Sequence, residues 1–302
     1  MNILVTGASG FLGKHLCQYL KLKGHKVVEL SSKDVDLTKF DDLNLIPNLE
    51  YNQIYHLAVW TRAGSFCETN QGDQWIINQK INTNILEWWK INHPKAKMIA
   101  FGTSASYCAE YKMEESKYML GTPIDKFYAY AMTKRMLLVG LESLHKQYNL
   151  DYLYLIPSTI YGPNYHEDGR ELHFIYDIIK KILNAKYLNT NILLQGNGYQ
   201  KREIIYIKDI VKIIYELNEK NSNKIINIGN GTAYSIRKFA KIISKIIKLD
   251  SNKIEYDNRR NIGIKNKLLD VTLCNKYISF DQVDLSEGLR ETIEWVKNSD
   301  KL

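Results

Sequence analysis

Apolar residues follow two rhythms along the first half of the chain. Apolar runs of strand length occupy residues 3–5, 27–30, 53–57, 97–101 and 152–156. Runs without polar alternation suit strands buried on both faces, as in a parallel sheet. Between them, apolar positions recur at helical spacing over 14–23, 73–89 and 131–148. Strand and helix alternating in this order predict a doubly wound parallel sheet, with right-handed crossovers laying helices on both faces. After Pro157 the rhythm changes. Tyr161-Gly162-Pro163-Asn164 and Gln195-Gly196-Asn197-Gly198 read as turns. Helices are expected over 172–183, 209–219, 235–248 and 285–297, and strands over 203–207 and 225–228.

Ligands of doubly wound sheets bind at the carboxyl ends of the strands. The first such end is Ile3-Leu4-Val5-Thr6-Gly7-Ala8-Ser9-Gly10-Phe11-Leu12-Gly13: a buried strand, a glycine turn and the opening of a helix. Glycines so spaced let the chain turn tightly, approach a pyrophosphate and pack helix against strand, with the phosphates on the free N–H groups of the helix. The expected architecture is therefore α/β, a doubly wound parallel Rossmann sheet with a smaller C-terminal α/β substrate lobe. The dinucleotide-binding domain covers 1–156 and also receives about 204–234. The substrate lobe takes 157–203 and 235–302.

Gly7, Ser9, Gly10, Phe11, Leu12 and Gly13 are the expected cofactor contacts, joined by Leu57, Ala58 and Pro157 at the ends of neighbouring strands. The residue ending the second strand reports which dinucleotide binds, since an acid there holds the ribose hydroxyls of NAD. That position falls on Ser31, followed by Ser32 and Lys33, while Glu29 alternates away from the site. Two hydroxyls and a cation suit a 2′-phosphate, so NADP is the expected cofactor and NAD the other possibility. Asp36 lies within reach of the adenine edge.

Tyr130-Ala131-Met132-Thr133-Lys134 opens a helix with a tyrosine and a lysine four residues apart, hence on one face. A phenol with an ordinary pKa near 10 is a reluctant acid-base, and an ammonium one turn away eases its ionisation. Thr103-Ser104-Ala105-Ser106-Tyr107 sets hydroxyls directly after an apolar strand, where one can hold the substrate oxygen that the tyrosine protonates.

Bulk properties narrow the field. The formal charge is +8, but the basic residues are scattered and form no nucleic-acid motif, so the background suits small anions instead. The cysteines Cys17, Cys67, Cys108 and Cys274 have no CxxC spacing, which argues for a reducing compartment and against structural zinc. Without a long apolar stretch, neither membrane nor secretion is expected, and the cytoplasm is the default.

These pieces together resemble an extended short-chain dehydrogenase/reductase of the branch acting on nucleotide sugars. The resemblance runs through 6–13, 56–58, 103–107, 130–134, 161–163, 196–202 and 288–290. It implies Tyr130 as acid-base, Lys134 as holder of the nicotinamide ribose and Thr103 as the group orienting a carbonyl, with Ser104 and His173 beside the sugar. Arg202, and Arg260 or its neighbour Arg259, are implied as ligands of the substrate diphosphate. The dehydratases of the family carry Thr-Asp-Glu where this chain has Thr103-Ser104-Ala105, so dehydration is not expected. The nearest look is to the GDP-L-fucose synthases and other nucleotide-4-keto-sugar reductases, which serve surface-polysaccharide sugar biosynthesis. Their motif cysteine is Ala105 here, which leaves 4-keto reduction as the expected reaction. The alternatives are an NAD-retaining 4-epimerase or dehydrogenase and a non-catalytic NADP-sensing protein. A homodimer is a further family expectation.

Overall fold

The computed structural model describes residues 1–166, 171–259, 264–279 and 281–299. In chain order its elements are β1 (Asn2–Thr6), α1 (Phe11–Leu22), β2 (Lys26–Leu30), β3 (Gln53–His56), α2 (Phe66–Thr69), α3 (Gln71–Asn92), β4 (Lys97–Phe101), α4 (Tyr128–Tyr148) and β5 (Tyr152–Pro157). There follow β6 (Thr159–Tyr161), α5 (Phe174–Leu188), β7 (Ile192–Gln195), β8 (Lys201–Tyr206), α6 (Ile207–Lys220), β9 (Lys224–Ile228), β10 (Ala233–Ser235) and α7 (Ile236–Ile247). The last are β11 (Ile254–Asp257), β12 (Asn266–Lys267), α8 (Thr272–Tyr277) and α9 (Leu285–Asn298).

Six strands form the main sheet in the order β2-β1-β3-β4-β5-β9, every pair parallel. The apolar runs of β1, β4 and β5 are buried as the pattern demanded: Ile3, Leu4, Val5, Ile99, Leu153 and Leu155 have no accessible surface. The run in β2, at the sheet's edge, is not: Val27 and Val28 are only partly buried and Glu29 is exposed. Each such side chain contributes about 1.5–3 kcal/mol when removed from water. Helix α1 packs with α6, and α3 with α4, giving two separate helical layers. The order reverses between β1 and β3, and a crevice at that point is where such sheets bind ligands.

The chain leaves the sheet after Pro157 and returns with α6 and β9, which pairs with β5. The strand expected at 203–207 instead belongs to a small second sheet, where β8 is flanked by β6, β10 and β12. A parallel pair, β7 with β11, stands apart. Helix ends follow local chemistry. Asn149 closes α4 in the left-handed region at φ 57°, Ser235 caps α7 by accepting from the Lys238 N–H at 3.1 Å, and Asp284 caps α9 through the Ser286 N–H at 2.8 Å.

Candidate active site

The glycine turn is shaped by close approach. Gly7 has φ +68°, and a Cβ there would stand 2.8 Å from the backbone nitrogen of Ala58. At Gly13 a Cβ would come within 2.3 Å of the Gly7 carbonyl oxygen. The turn closes through the Gly10 N–H to the Gly7 carbonyl at 3.0 Å. Gly10 is the N-cap of α1, without a side-chain cap, and no acid lies in the first turn. The N–H groups opening α1 therefore face an uncluttered, cation-like helix end. Ser9 and Gly10 are exposed, Phe11 and Leu12 partly buried. Leu57 and Ala58 adjoin the turn from β3, the Ala58 N–H donating to the Thr6 hydroxyl at 3.2 Å. These residues fit a dinucleotide pyrophosphate.

At the end of β2 the structure adds an acid that strand counting passes over. Ser31 donates to a carboxylate oxygen of Asp34 through both its N–H (2.8 Å) and its hydroxyl (2.6 Å). The Lys33 N–H donates back to the Ser31 hydroxyl at 3.2 Å. Ser32 and Lys33 are exposed beside this turn. Glu29 points away, paired with Lys21 at 2.5 Å. Asp36 is spent on Thr38, whose N–H and hydroxyl it accepts at 3.0 and 2.7 Å.

The hydroxyl, phenol and ammonium come together at the ends of β4 and the start of α4. Thr103 caps a short 3-10 turn, its oxygen accepting the Ala105 N–H at 3.2 Å, so its proton is left to donate elsewhere. Its hydroxyl acts on the neighbouring Tyr130 phenol. Desolvation pushes the phenol well above its ordinary value, with Cys67 adding to the rise and the Thr103 hydroxyl opposing it. Burial likewise pulls the Lys134 ammonium, 4% exposed, down to about 8. For Tyr130, desolvation is the largest influence, so the phenol stands above its ordinary value and not below it, as an ammonium one turn away alone would set it. Beneath them, the Tyr154 hydroxyl donates to the Lys134 carbonyl at 2.7 Å and meets the Tyr118 hydroxyl at 3.0 Å. The Arg135 guanidinium holds the Ser106 carbonyl at 2.6 Å.

Beside this group the second sheet closes on the main one around Ser104, Ser158, Thr159, Glu203, Lys267 and Leu269, leaving a cleft too tight for a water molecule. Ser104 is buried, Pro157 ends β5, and the buried Ser158 hydroxyl finds no hydrogen-bond partner among the described residues. Glu203 and Lys267 escaped sequence reasoning. Glu203 accepts the Gly231 N–H at 2.7 Å and the Leu269 N–H at 3.0 Å, and burial pushes its carboxyl up to about 7. Lys267 is brought beside Arg202 by the pairing of β12 with β8, and desolvation lowers it to about 8. No periodicity marks a two-residue strand, so only the fold reveals this lysine. Arg202 donates to the carbonyls of Lys201 and Ile264, both at 2.8 Å. His173 stands just before α5; its residue surface is exposed, but desolvation, with Lys267 and His166 nearby, lowers its imidazole to about 4. Arg260 lies outside the described residues. On the loop after β3, Trp60 packs edge-on against Phe66 with ring centroids 4.7 Å apart, and Arg62 lies over the same ring.

Comparison with known proteins agrees with this geometry. Residues 3–229 match the family described as the NAD dependent epimerase/dehydratase family. GDP-L-colitose synthase of Yersinia pseudotuberculosis is 28% identical over 99% of this chain and 98% of its own. GDP-L-fucose synthase of Escherichia coli (strain K12) is 24% identical over 99% of this chain and 98% of its own. Among solved structures, the GDP-mannoheptose C4 reductase of Campylobacter jejuni with NADP bound superposes with a TM-score of 0.86, covering 98% of each chain at 20% identity. At that identity the last likeness speaks for the fold. No helix among the described residues is long and apolar enough to cross a membrane.

Proposed function

The chain belongs to the NAD dependent epimerase/dehydratase family, and we propose that within it the protein is an NADPH-dependent reductase of a nucleotide-linked 4-keto sugar. GDP is the carrier named in its relatives, and sugars of surface polysaccharides are the expected end use. The reading rests on the Thr103 hydroxyl acting on the neighbouring Tyr130 phenol, one helical turn from the buried Lys134.

Gly7, Gly10 and the opening of α1 would hold the pyrophosphate, Lys134 the nicotinamide ribose, and Lys33 with Ser31 and Ser32 the adenosine end. NADPH, when bound, supplies the hydride that C4 takes up. Thr103 donates its free proton in a hydrogen bond to O4 and fixes the carbonyl. Tyr130 gives its phenolic proton to that oxygen as the carbonyl becomes an alcohol, so the C4 hydroxyl forms and a phenolate remains. A phenol pushed upward by desolvation is fully protonated at neutral pH, as a proton donor must be. Arg202 and Lys267 would neutralise the diphosphate. Ala105 carries no ionisable group, so the reading stops at reduction.

The deciding experiment incubates the protein with a panel of nucleotide-linked 4-keto sugars while NADPH absorbance is followed. Stoichiometric loss of NADPH with one of them is expected, and no consumption with any would overturn the reading. One observation favours a second reading, the NAD-retaining 4-epimerase: the Asp34 carboxylate at the end of β2 suits a ribose diol. Protein that arrives with tightly held NAD and an NADH-like absorbance would decide for it. We further propose a homodimer through the α3–α4 layer, where Trp75 (40%) and Ile76 (52%) on α3 and Met136 (37%) on α4 are exposed. Sedimentation velocity should find a dimer that Ile76→Asp converts to monomer.

A further inference from the structure

Behind the proposed catalytic helix lies a buried polar chain that the mechanism above does not use. His56 ends β3 with no accessible surface, and Asn82, 6% exposed, faces it from α3. The Nδ1 of His56 is 2.9 Å from the Thr6 hydroxyl, and its Nε2 is 3.3 Å from Asn82 Oδ1. Asn82 Nδ2 donates to the Thr133 carbonyl at 3.3 Å, in the peptide that leads into Lys134. The directions of these bonds can be worked out. The Asn82 amide donates its NH₂ to the Thr133 carbonyl, so its Oδ1 faces His56 and can only accept. Nε2 must therefore carry the ring proton, and Nδ1 of the neutral ring is an acceptor. The Thr6 hydroxyl, which accepts the Ala58 N–H at 3.2 Å, donates its own proton to Nδ1. Each member leaves the next a single role.

We propose that Thr6, His56 and Asn82 form a positioning relay that locks the imidazole as its Nε2–H tautomer and holds the Thr133–Lys134 turn of α4 where Lys134 meets the nicotinamide ribose. His56 and Asn82 are positioning residues and touch neither substrate nor cofactor. The relay ties the strand that enters the glycine turn to the helix that carries the phenol and ammonium. The two halves of the cofactor site are thus set by one buried ring. The ring has to stay neutral, because a proton on Nδ1 would make the Thr6 hydroxyl accept twice and take away the acceptor of its own proton. Burial and the nearby Lys134 ammonium both act in that direction and bring the imidazole down to about 3.

The inference rests on the reading of Lys134 as the ribose holder, and the test separates the two. Nitrogen-15 spectra of imidazole-labelled protein report the tautomer without any turnover. An Nε2–H ring that does not titrate down to pH 5 is expected. An Nδ1–H ring, or titration near pH 6.5, would overturn the proposal whatever the enzyme does. NADPH binding followed by fluorescence then tests the coupling. Asn82→Leu is expected to weaken NADPH binding five- to twenty-fold and to move the alkaline limb of kcat/KM for NADPH, with KM for the sugar nucleotide within two-fold. Asn82→Asp keeps an acceptor for Nε2–H and should draw a second proton onto His56, making it titrate above pH 5. Asn82→Leu that melts earlier but binds NADPH normally, with the limb unmoved, would reduce the relay to a structural role. If the wild-type protein fails to bind NADPH at all, the reading of Lys134 falls while the tautomer result stands.

Discussion

Lys134 is an ammonium taken out of water, and the sign of what that costs can be followed. Its ordinary value is 10.5 and the folded protein lowers it to about 8. Between those values the unfolded chain binds the proton and the folded one does not, so stability rises with pH across roughly pH 8–10.5. Below that window the full penalty is present, on the order of 3 kcal/mol at about 1.4 kcal/mol per pKa unit. Lys134→Met should therefore raise the unfolding free energy at pH 7 by about 1–3 kcal/mol, with the gain shrinking toward pH 10, while turnover is lost. Urea melts at the two pH values check this, and a destabilised variant at pH 7 would refute it. The same ionisation should place the alkaline limb of kcat/KM for NADPH near pH 8. For Tyr130 the argument is about the proton itself. Tyr130→Phe removes the donor but leaves the packing, so turnover should fall by about 10²–10⁴-fold. NADPH affinity should stay within a few-fold, by fluorescence titration, and near-normal turnover would defeat the mechanism.

At the scale of elements, the glycine turn works because backbone occupies the space that side chains would need. Gly7→Ala puts a Cβ 2.8 Å from the Ala58 nitrogen at a left-handed φ, which should cost about 1–3 kcal/mol and at least tenfold in NADPH affinity. Gly10→Ala meets only the Gly7 carbonyl, at 3.2 Å, and should be milder. Comparing melting temperatures and NADPH titrations of the two tests whether the turn is shaped as described. This turn was legible in the sequence because strand, glycines and helix stand consecutively, and β1, β3, β4 and β5 because burial on both faces leaves mostly apolar runs. β6, β7, β10 and β12 were not, since strands of two to four residues are made by their partners and not by their own pattern. Asp34 was missed for a local reason: it turns back on Ser31 from three residues downstream, which strand counting does not see. The pairing of His56 with Asn82 joins positions 26 apart on different elements, and only the packing of α3 against the sheet creates it.

At the scale of the whole molecule, the cleft exists only because two sheets meet. Ser104 and Ser158 come from the ends of the main sheet's strands, Glu203 and Lys267 from the second sheet. Glu203 joins β8 to the loop after β9 and to the strand leaving β12, so it holds the two sheets together while standing beside the proposed diphosphate ligands. Folding raises its carboxyl from 4.5 to about 7, chiefly by burial, with Lys267 opposing the rise. In the window between those values the folded state binds the extra proton, so stability falls as pH rises from about 4.5 to 7. Lys267→Met removes the cation that limits this loss. The variant should lose more thermal stability than wild type between pH 5 and pH 8, and KM for the sugar nucleotide should rise at least tenfold with NADPH affinity unchanged. Arg202→Met should reproduce the rise in KM. Lys267→Met with the wild-type pH dependence of melting would show that the lysine does not offset the buried carboxylate. An unchanged KM would remove it from the substrate site.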